Sequence, residues 1–194
     1  MTHRILPSWL GAEKAAELLD YAIDNQTHFE PTKVRFEGEA EARIEERSRR
    51  SLVLRDLGPY AGFLEDKARG LQEELEKAFG MDHAPTQAVE LEIAAHADGD
   101  YYHPHIDTFT AAAGATNINR RLSLVYYFHR LPRGFDGGHL RLLGLGRMPA
   151  VAIDPTHDSL LAFPSFLPHA VEKISIAGNN FADSRFAVNI WLCG

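Results

Sequence analysis

The sequence predicts a mainly β, α+β protein in which a β sandwich or jelly roll follows a helical N-terminal part. From residue 89 onward, short apolar segments alternate with turns rich in Gly, Pro and Asn. Before residue 80, apolar residues recur instead at helical spacing. With 194 residues and 45% hydrophobic content, the chain can bury one core. We therefore expect one domain over 1–194, with helical support and a lid region over 1–88 and the β core over 89–194.

Two helices are predicted in the N-terminal part. The first spans residues 11–23, where alanine and leucine recur on one side. The second spans residues 59–79, because Pro59 suits a first helical turn and Gly80 suits a stop. Their apolar sides are expected to cover the outer face of the strands.

The predicted strands follow from short apolar or alternating segments between turn residues. They are residues 89–95, 121–128, 140–143, 150–153, 160–163, 171–176 and 185–192. In 121–128 the side chains alternate between an apolar face with Leu122 and Tyr126 and a mixed face with Tyr127. In 185–192 an apolar face alternates with one that carries Arg185, Ala187, Asn189 and Trp191.

Three residues form a candidate metal site, namely His105, Asp107 and the distant His169. In an extended strand the side chains at i and i+2 share a face, so His105 and Asp107 can point into one cavity. Two imidazoles and one carboxylate form the facial triad that holds Fe(II) in oxygenases. A thiolate zinc site is disfavoured because the chain has one cysteine. The alternatives are a surface pair for His105 and Asp107 and a core histidine for His169.

The polar face of 185–192 suggests a small-molecule pocket. The planar fork of Arg185 can grip a carboxylate through two parallel hydrogen bonds. Tyr127, on the mixed face of its strand, can offer a hydroxyl to the same ligand. Taken alone, Tyr127 and Trp191 fit an ordinary aromatic core better than a contact with a ligand.

Five motifs occur together in a characteristic order. They are HADGDYYHPHID, the Tyr126-Tyr127 pair, GGHLR, FPSFLPHAV and RFAVNIW. In this order they resemble the catalytic core of the 2-oxoglutarate and Fe(II)-dependent dioxygenases, specifically the prolyl 4-hydroxylase-like branch. The resemblance covers roughly residues 90–192, and it implies a double-stranded β-helix with the N-terminal helices packed on its outer face.

The resemblance also implies roles for individual residues. His105, Asp107 and His169 are expected to be the catalytic iron ligands, and Arg185 is expected to pair with the distal carboxylate of 2-oxoglutarate. Further pocket positions fall on Tyr127, Leu140, Asn189 and Tyr102. There are two departures from the family pattern: His96 stands where many relatives have a tyrosine, and the insertion IAGNNFAD lengthens the interval between His169 and Arg185.

The activity implied is hydroxylation of a C–H bond with O2 and 2-oxoglutarate as cosubstrates and with release of succinate and CO2. The branch favours a prolyl residue of a protein or peptide, and the alternative is a free amino acid or small metabolite. Ascorbate is a further candidate cofactor. The charged segment 36–51 is interpreted either as a solvated loop or as a lid over the substrate, and the small, polar segment 109–119 could serve the same purpose.

Charge and hydropathy disfavour other partners. A formal charge of −7 argues against a nucleic-acid substrate. Nucleic-acid demethylases of the superfamily tend to carry a second arginine where this chain has Trp191. No apolar run is long enough to span a membrane, and the start MTHRILPSWLG lacks the features of a secretory signal. With one cysteine, the expected location is the reducing cytoplasm.

Two other classes of function remain open. His103, His105 and Asp107 also resemble part of the His-x-His-x-Asp-His motif of zinc metallo-hydrolases, although Thr108 stands where that motif has its last histidine. A jelly roll that binds 2-oxoglutarate without turnover is the second alternative. Iron-dependent formation of succinate would distinguish the oxygenase from both.

Overall fold

Two antiparallel sheets face each other, and three helices pack on the outside of the larger sheet. A computed structural model describes residues 1–32, 45, 47–108, 119–146, 149–178 and 180–194. The proposed lid segments 36–51 and 109–119 lie largely outside the described residues. The helices are α1 (Ala12–Asp24), α2 (Ala61–Arg69) and α3 (Gln72–Phe79). The strands are β1 (Arg4–Pro7), β2 (Glu30–Pro31), β3 (Arg49–Arg50), β4 (Leu52–Leu54), β5 (Ala88–His96), β6 (Tyr101–His105), β7 (Arg120–Phe128), β8 (Asp136–Gly137), β9 (Leu140–Leu142), β10 (Val151–Ile153), β11 (Ser159–Pro164), β12 (His169–Val171), β13 (Ile174–Ser175) and β14 (Arg185–Cys193).

The sheet topology confirms the predicted jelly roll. The larger sheet has seven strands in the order β1-β11-β7-β14-β5-β4-β2, and the smaller has five in the order β10-β9-β12-β6-β3. A separate short pair joins β13 to β8. The nine-residue strands β5, β7 and β14 lie next to one another in the larger sheet. None of the helices in the described ranges has the length and hydropathy needed to cross a membrane.

The two faces of the larger sheet carry different cores, as the alternation in β7 and β14 predicts. On the outer face, apolar strand residues such as Tyr126 and Val188 pack with Leu18, Leu64 and Leu75 of the helices. The prediction that the helices cover this face is therefore confirmed. The inner face forms a second cluster toward the smaller sheet, with the members Val125, Tyr127, Leu140, Leu142, Ile153, Leu161, Phe163, Leu167 and Ala187.

Asp158 connects the start of α1 to the larger sheet. Its carboxylate accepts hydrogen bonds from the N–H groups of Leu10 and Gly11 at 3.0 and 3.1 Å. It also accepts the hydroxyl of Tyr126 at 2.9 Å. One buried acid therefore fixes the entry of α1 against β7.

Three sequence expectations about elements were wrong. The helix predicted over 59–79 is divided into α2 and α3, because the chain tightens at Gly70, where Leu71 N–H bonds to Ala68 O. The strand predicted over 171–176 is divided between β12 and β13, which pair with different neighbours. The N-terminal part also contributes β1 to β4, which are too short to show a periodicity in the sequence.

Candidate metal centre and adjoining polar pocket

His105, Asp107 and His169 converge on one point between the sheets. One ligand atom from each side chain lies within 4.8 Å of the others. His105 Nε2 lies 3.6 Å from Asp107 Oδ1, and His169 Nε2 lies 3.6 Å from Asp107 Oδ2. The convergence arises because His105 of β6 and His169 of β12 are directly paired in the smaller sheet. Two nitrogens and a carboxylate at this spacing can bind one divalent cation.

The prediction that Asp107 lies in the same strand as His105 was wrong. Strand β6 ends at His105, and Asp107 follows in a bend. The main-chain N–H of Asp107 donates to Ser165 O at 2.9 Å, in the connection from β11 to β12. The carboxylate is therefore placed by a contact between segments distant in the chain.

Both imidazoles have the orientation that a metal-binding histidine needs. His105 Nδ1 lies 2.9 Å from His103 O, and His169 Nδ1 lies 2.9 Å from Leu167 O. A carbonyl can only accept, so each Nδ1 carries the proton and each Nε2 keeps a free lone pair. Both free lone pairs belong to the atoms that face Asp107.

The Asp107 carboxylate is held from the larger sheet. Its Oδ2 accepts the Ser123 hydroxyl at 2.6 Å and the Trp191 indole N–H at 2.9 Å. Ser123 of β7 and Trp191 of β14 are neighbours in register, so both reach the same oxygen. Since Oδ2 already accepts two hydrogen bonds, Oδ1 is the oxygen better placed for a cation.

Electrostatics favour the metal-binding protonation state. Burial, together with the neighbouring His169, lowers the pKa of His105 to about 3. Burial acts to raise the pKa of Asp107, but His169, His105 and its two hydrogen bonds lower it overall. At neutral pH His105 is therefore neutral and Asp107 is charged, as metal coordination requires.

Arg185 lies on the same face of β14 as Trp191, which donates to Asp107. Arg185 is only 1% exposed, and its Nε donates to Gly138 O at 2.8 Å. Its Nη2 is buried and has no hydrogen-bond partner among the described residues. Its guanidinium carbon lies 5.0 Å from the ring centroid of Tyr127, whose hydroxyl is also buried without a partner there. Two buried donors without acceptors are the arrangement that a bound carboxylate would complete.

Gly138 allows this close approach. Its φ of 67° lies in the left-handed region, and a Cβ at this position would lie 2.6 Å from Arg185 Cδ. Any side chain would therefore be strained and would displace the guanidinium. This is the physical reason for glycine in the GGHLR motif.

His96 is a third buried polar group, beside Arg185 in the larger sheet. It pairs in register with Arg185, is 3% exposed, and neither ring nitrogen has a partner in the described part of the chain. Burial, with the nearby charges of Arg185 and Arg49, lowers the pKa of His96 well below its ordinary value. Burial also raises the pKa of Tyr127 to about 12, so its hydroxyl remains a donor.

The other predicted pocket residues have different surroundings. Leu140 is buried in the inner apolar cluster that includes Tyr127. Asn189 points its amide nitrogen to Glu92 Oε1 at 3.2 Å. Tyr102 stacks on His105 with 3.5 Å between ring centroids. His103, the extra ligand of a metallo-hydrolase site, is exposed and contacts the ring of Tyr101 instead of joining the cluster.

Several site residues were missed by the sequence analysis. Ser123 and Trp191 were noted only as members of polar strand faces, and Ser165 was not considered. Strand parity placed Ser123 and Trp191 on the inner face, which is the signal that could have identified them. Arg49 and Glu92 carried no signal, because their ion pair joins β3 to β5 across a long stretch of chain.

A family model described as the 2OG-Fe(II) oxygenase superfamily matches residues 91–193, which include the three converging residues and Arg185. The chain belongs to this superfamily. The recognition made from the motifs is therefore confirmed at the level of the family. The convergence of His105, Asp107 and His169 and the burial of Arg185 are observed in the structure of this chain itself.

Among curated relatives, an uncharacterized PKHD-type hydroxylase of Synechocystis is 35% identical over 112 residues. The match covers 54% of this chain and 36% of that protein. The chain therefore spans about a third of the length of the curated relative that it matches.

Solved structures with the same fold include prolyl hydroxylases. A Pseudomonas putida prolyl-4-hydroxylase has a TM-score of 0.68 at 20% identity, covering 98% of this chain and 91% of that chain. A Trichoplax adhaerens prolyl hydroxylase in complex with a hypoxia inducible factor peptide fragment has a TM-score of 0.72 at 21% identity, covering 98% and 82%. These likenesses show the fold.

Proposed function

We propose that this chain is an Fe(II)- and 2-oxoglutarate-dependent dioxygenase that hydroxylates a prolyl residue of a protein or peptide, with release of succinate and CO2. The observation that carries the proposal is the buried Nη2 of Arg185, which has no acceptor among the described residues, in a chain that also brings two imidazoles and a carboxylate together. A dicarboxylic cosubstrate would supply that acceptor while its other end reaches the metal. Family membership supports the same reading.

In this proposal His105, Asp107 and His169 hold the Fe(II). Bound together, Fe(II), 2-oxoglutarate and O2 supply the oxidising chemistry that C–H hydroxylation needs. The residues of the protein bind and orient these groups and exclude water from them. Arg185 binds the distal carboxylate of 2-oxoglutarate with its fork, and Tyr127 donates its hydroxyl. Leu140 provides an apolar wall, and Tyr102 holds the ring of His105.

The first test is iron-dependent conversion of 2-oxoglutarate to succinate. We expect Asp107→Ala to abolish it, because the cation loses its only charged ligand, whereas Asp20→Ala on the exposed side of α1 should leave it unchanged. Zinc-dependent hydrolysis in place of succinate formation would favour a metallo-hydrolase. Binding of 2-oxoglutarate without any succinate would favour a non-catalytic module.

The second test concerns Arg185. Arg185→Lys replaces a planar fork by a point charge, so we expect a higher KM for 2-oxoglutarate with a smaller effect on kcat. An unchanged KM would mean that another residue holds the distal carboxylate.

The substrate assignment needs a separate measurement. The prolyl hydroxylase neighbours support a prolyl peptide, and the net charge of −7 supports a substrate other than nucleic acid. The iron-loaded protein should add one oxygen atom to proline in a panel of peptides, detected by mass spectrometry. Hydroxylation of free amino acids or metabolites, with unmodified peptides, would overturn this assignment.

Three further parts belong to the proposal. Residues 1–194 act as one catalytic unit, which the core shared by the helices and the larger sheet supports.

Ascorbate sustains turnover, and succinate yields measured with and without ascorbate would test this. The protein works in the cytoplasm, where the single thiol of Cys193 stays reduced.

A further inference from the structure

Trp191 is held between an arginine and the Asp107 carboxylate. Its indole N–H donates to Asp107 Oδ2 at 2.9 Å. The guanidinium carbon of Arg120 lies 3.7 Å from the centroid of the same indole ring. A cation at this distance over a tryptophan face is attracted by the ring and restricts its tilt. By restricting the ring, Arg120 therefore helps to fix the direction in which the indole N–H donates its hydrogen bond to Asp107.

Tyr102 is held in the same way on the other side of the site. Its ring stacks on the imidazole of His105, with 3.5 Å between centroids and 17° between planes. The guanidinium carbon of Arg49 lies 4.7 Å from the centroid of the Tyr102 ring. A second cation–aromatic pair thus contacts a second member of the triad.

Both arginines are anchored by glutamates of β5. Arg120 Nε donates to Glu90 Oε2 at 2.9 Å, and Arg49 Nη2 donates to Glu92 Oε1 at 3.2 Å. Glu90 and Glu92 are two residues apart in one strand, so their side chains leave the same face of the sheet. The side chains of Arg49 and Glu92 are each only 11% exposed, which leaves this pair little freedom to rearrange.

We propose that Arg120 and Arg49 are positioning residues for the metal centre, each holding an aromatic ring against one metal ligand. The inference rests on the proposed function, because that function makes Asp107 and His105 ligands. Through Trp191, Arg120 keeps Asp107 Oδ2 engaged and leaves Oδ1 for the cation. Through Tyr102, Arg49 limits rotation of the His105 ring.

Arg121 provides a matched control for Arg120. It is the next residue of β7, its side chain is 20% exposed against 19% for Arg120, and it also binds a glutamate, Glu76, at 3.3 Å. Its partners lie at α3 and the following loop, away from the triad. Arg120→Met and Arg121→Met therefore each remove one guanidinium and its contact with one glutamate, but only the first removes the contact with Trp191, which donates to Asp107.

The experiment is titration with Mn(II) alone, followed by the electron paramagnetic resonance signal of the free ion. We expect Arg120→Met to weaken Mn(II) binding about tenfold, the lower end of the range for partners of metal ligands. Arg121→Met should bind as the wild type does. The same comparison applies to Arg49→Met against Arg50→Met, whose pair with Asp100 lies at 3.5 Å.

A second readout reports on the ring itself. The chain has two tryptophans, so Trp9→Phe leaves Trp191 as the sole indole fluorophore. In that background Arg120→Met should shift the emission of Trp191, and Arg121→Met should not. A purely stabilising role for Arg120 would leave the Mn(II) affinity of the folded variant unchanged, even where the emission of Trp191 shifts because its neighbour is gone.

The outcomes separate the inference from the proposed function. If the wild type binds no Mn(II), or if Asp107→Ala binds it equally well, the ligand assignment fails and the inference fails with it. If the wild type binds through Asp107 and both arginine variants match their controls, only the inference is overturned. Should Arg120→Met not fold, Arg120→Lys carries the same test, because lysine keeps the charge and loses the planar stack.

Discussion

At the scale of single residues, the two oxygens of Asp107 have different environments. Each oxygen lies 3.6 Å from one imidazole Nε2, of His105 for Oδ1 and of His169 for Oδ2, but Oδ2 also accepts two hydrogen bonds, from Ser123 and Trp191. This asymmetry prepares the carboxylate to bind a cation through one oxygen. The residues that donate to a ligand are therefore expected to affect metal affinity without being ligands themselves.

Ser123→Ala tests this expectation. Losing the 2.6 Å bond to Oδ2 should weaken Mn(II) binding about tenfold, because the carboxylate gains freedom to rotate. The control is Ser159→Ala, a buried serine whose hydroxyl donates to Thr156 O at 2.6 Å. Equal Mn(II) affinity in both variants would contradict the role given to Ser123.

His96 predicts a pH dependence of stability. Its pKa in the native protein lies well below the ordinary value of 6.5. As the pH falls through about 6.5, the unfolded chain binds a proton at this ring that the native protein does not bind, so the free energy of unfolding decreases. His96→Leu should remove this component and make the profile less steep, while His105, whose pKa is also lowered, retains part of the slope.

Urea unfolding at about pH 7.5 and about pH 5.5 would measure the effect. His28→Leu, at an exposed histidine, serves as the control for loss of one imidazole. A slope for His96→Leu as steep as that of the wild type would show that other groups dominate the acid response.

At the scale of elements, β7 and β14 divide structural and chemical roles between their two faces. Their outer side chains pack against the helices, and their inner side chains reach Asp107 and the pocket of Arg185. Packing on the outer face therefore holds in place the two strands whose inner side chains contact Asp107. The helices are expected to contribute to stability without taking part in the chemistry.

Leu64→Ala in α2 tests the contribution of this packing. Leu64 is fully buried in the outer core, so we expect a loss of about 3 kcal/mol in the free energy of unfolding. Phe63→Ala, at the neighbouring residue that is 39% exposed, should cost about 1 kcal/mol or less. Denaturant titration of the two variants gives the comparison, and equal losses would mean that α2 packs differently.

At the scale of the whole molecule, the site exists because two sheets meet. His105 and His169 come from the smaller sheet, while the donors to Asp107 and the guanidinium of Arg185 come from the larger one. The N-terminal part contributes strand β4, which pairs with β5 of the larger sheet, and strand β3, which pairs with β6 of the smaller sheet. The 89–194 segment on its own would lack these edges and its helical cover.

We therefore predict that residues 89–194 expressed alone do not fold cooperatively. The fragment would expose the outer apolar face of β7 and β14, which the helices cover in the full chain. Circular dichroism during thermal unfolding would measure this, with the full chain as control. A cooperative transition in the fragment would show that the β core is independent of residues 1–88.

The alternation in β7 and β14 predicted both faces of the larger sheet, because side-chain parity in a strand is a local property. Residue type and the order of the five motifs proposed His105, Asp107, His169 and Arg185, whereas strand parity was wrong for Asp107, which lies in a bend after β6. The helical periodicity of residues 59–79 did not reveal the break at Gly70, where α2 ends before α3 begins.

The sequence by itself determined the fold class and the candidate ligands, since these depend on residue type and local spacing. The tertiary structure alone decided which atoms of those residues are free to contact a ligand and which are already hydrogen-bonded. The two bonds to Asp107 Oδ2, the unpaired Nη2 of Arg185 and the stacking of Arg120 on Trp191 each join segments distant in the chain. Such contacts depend on strand order and register, which no local pattern in a single sequence encodes.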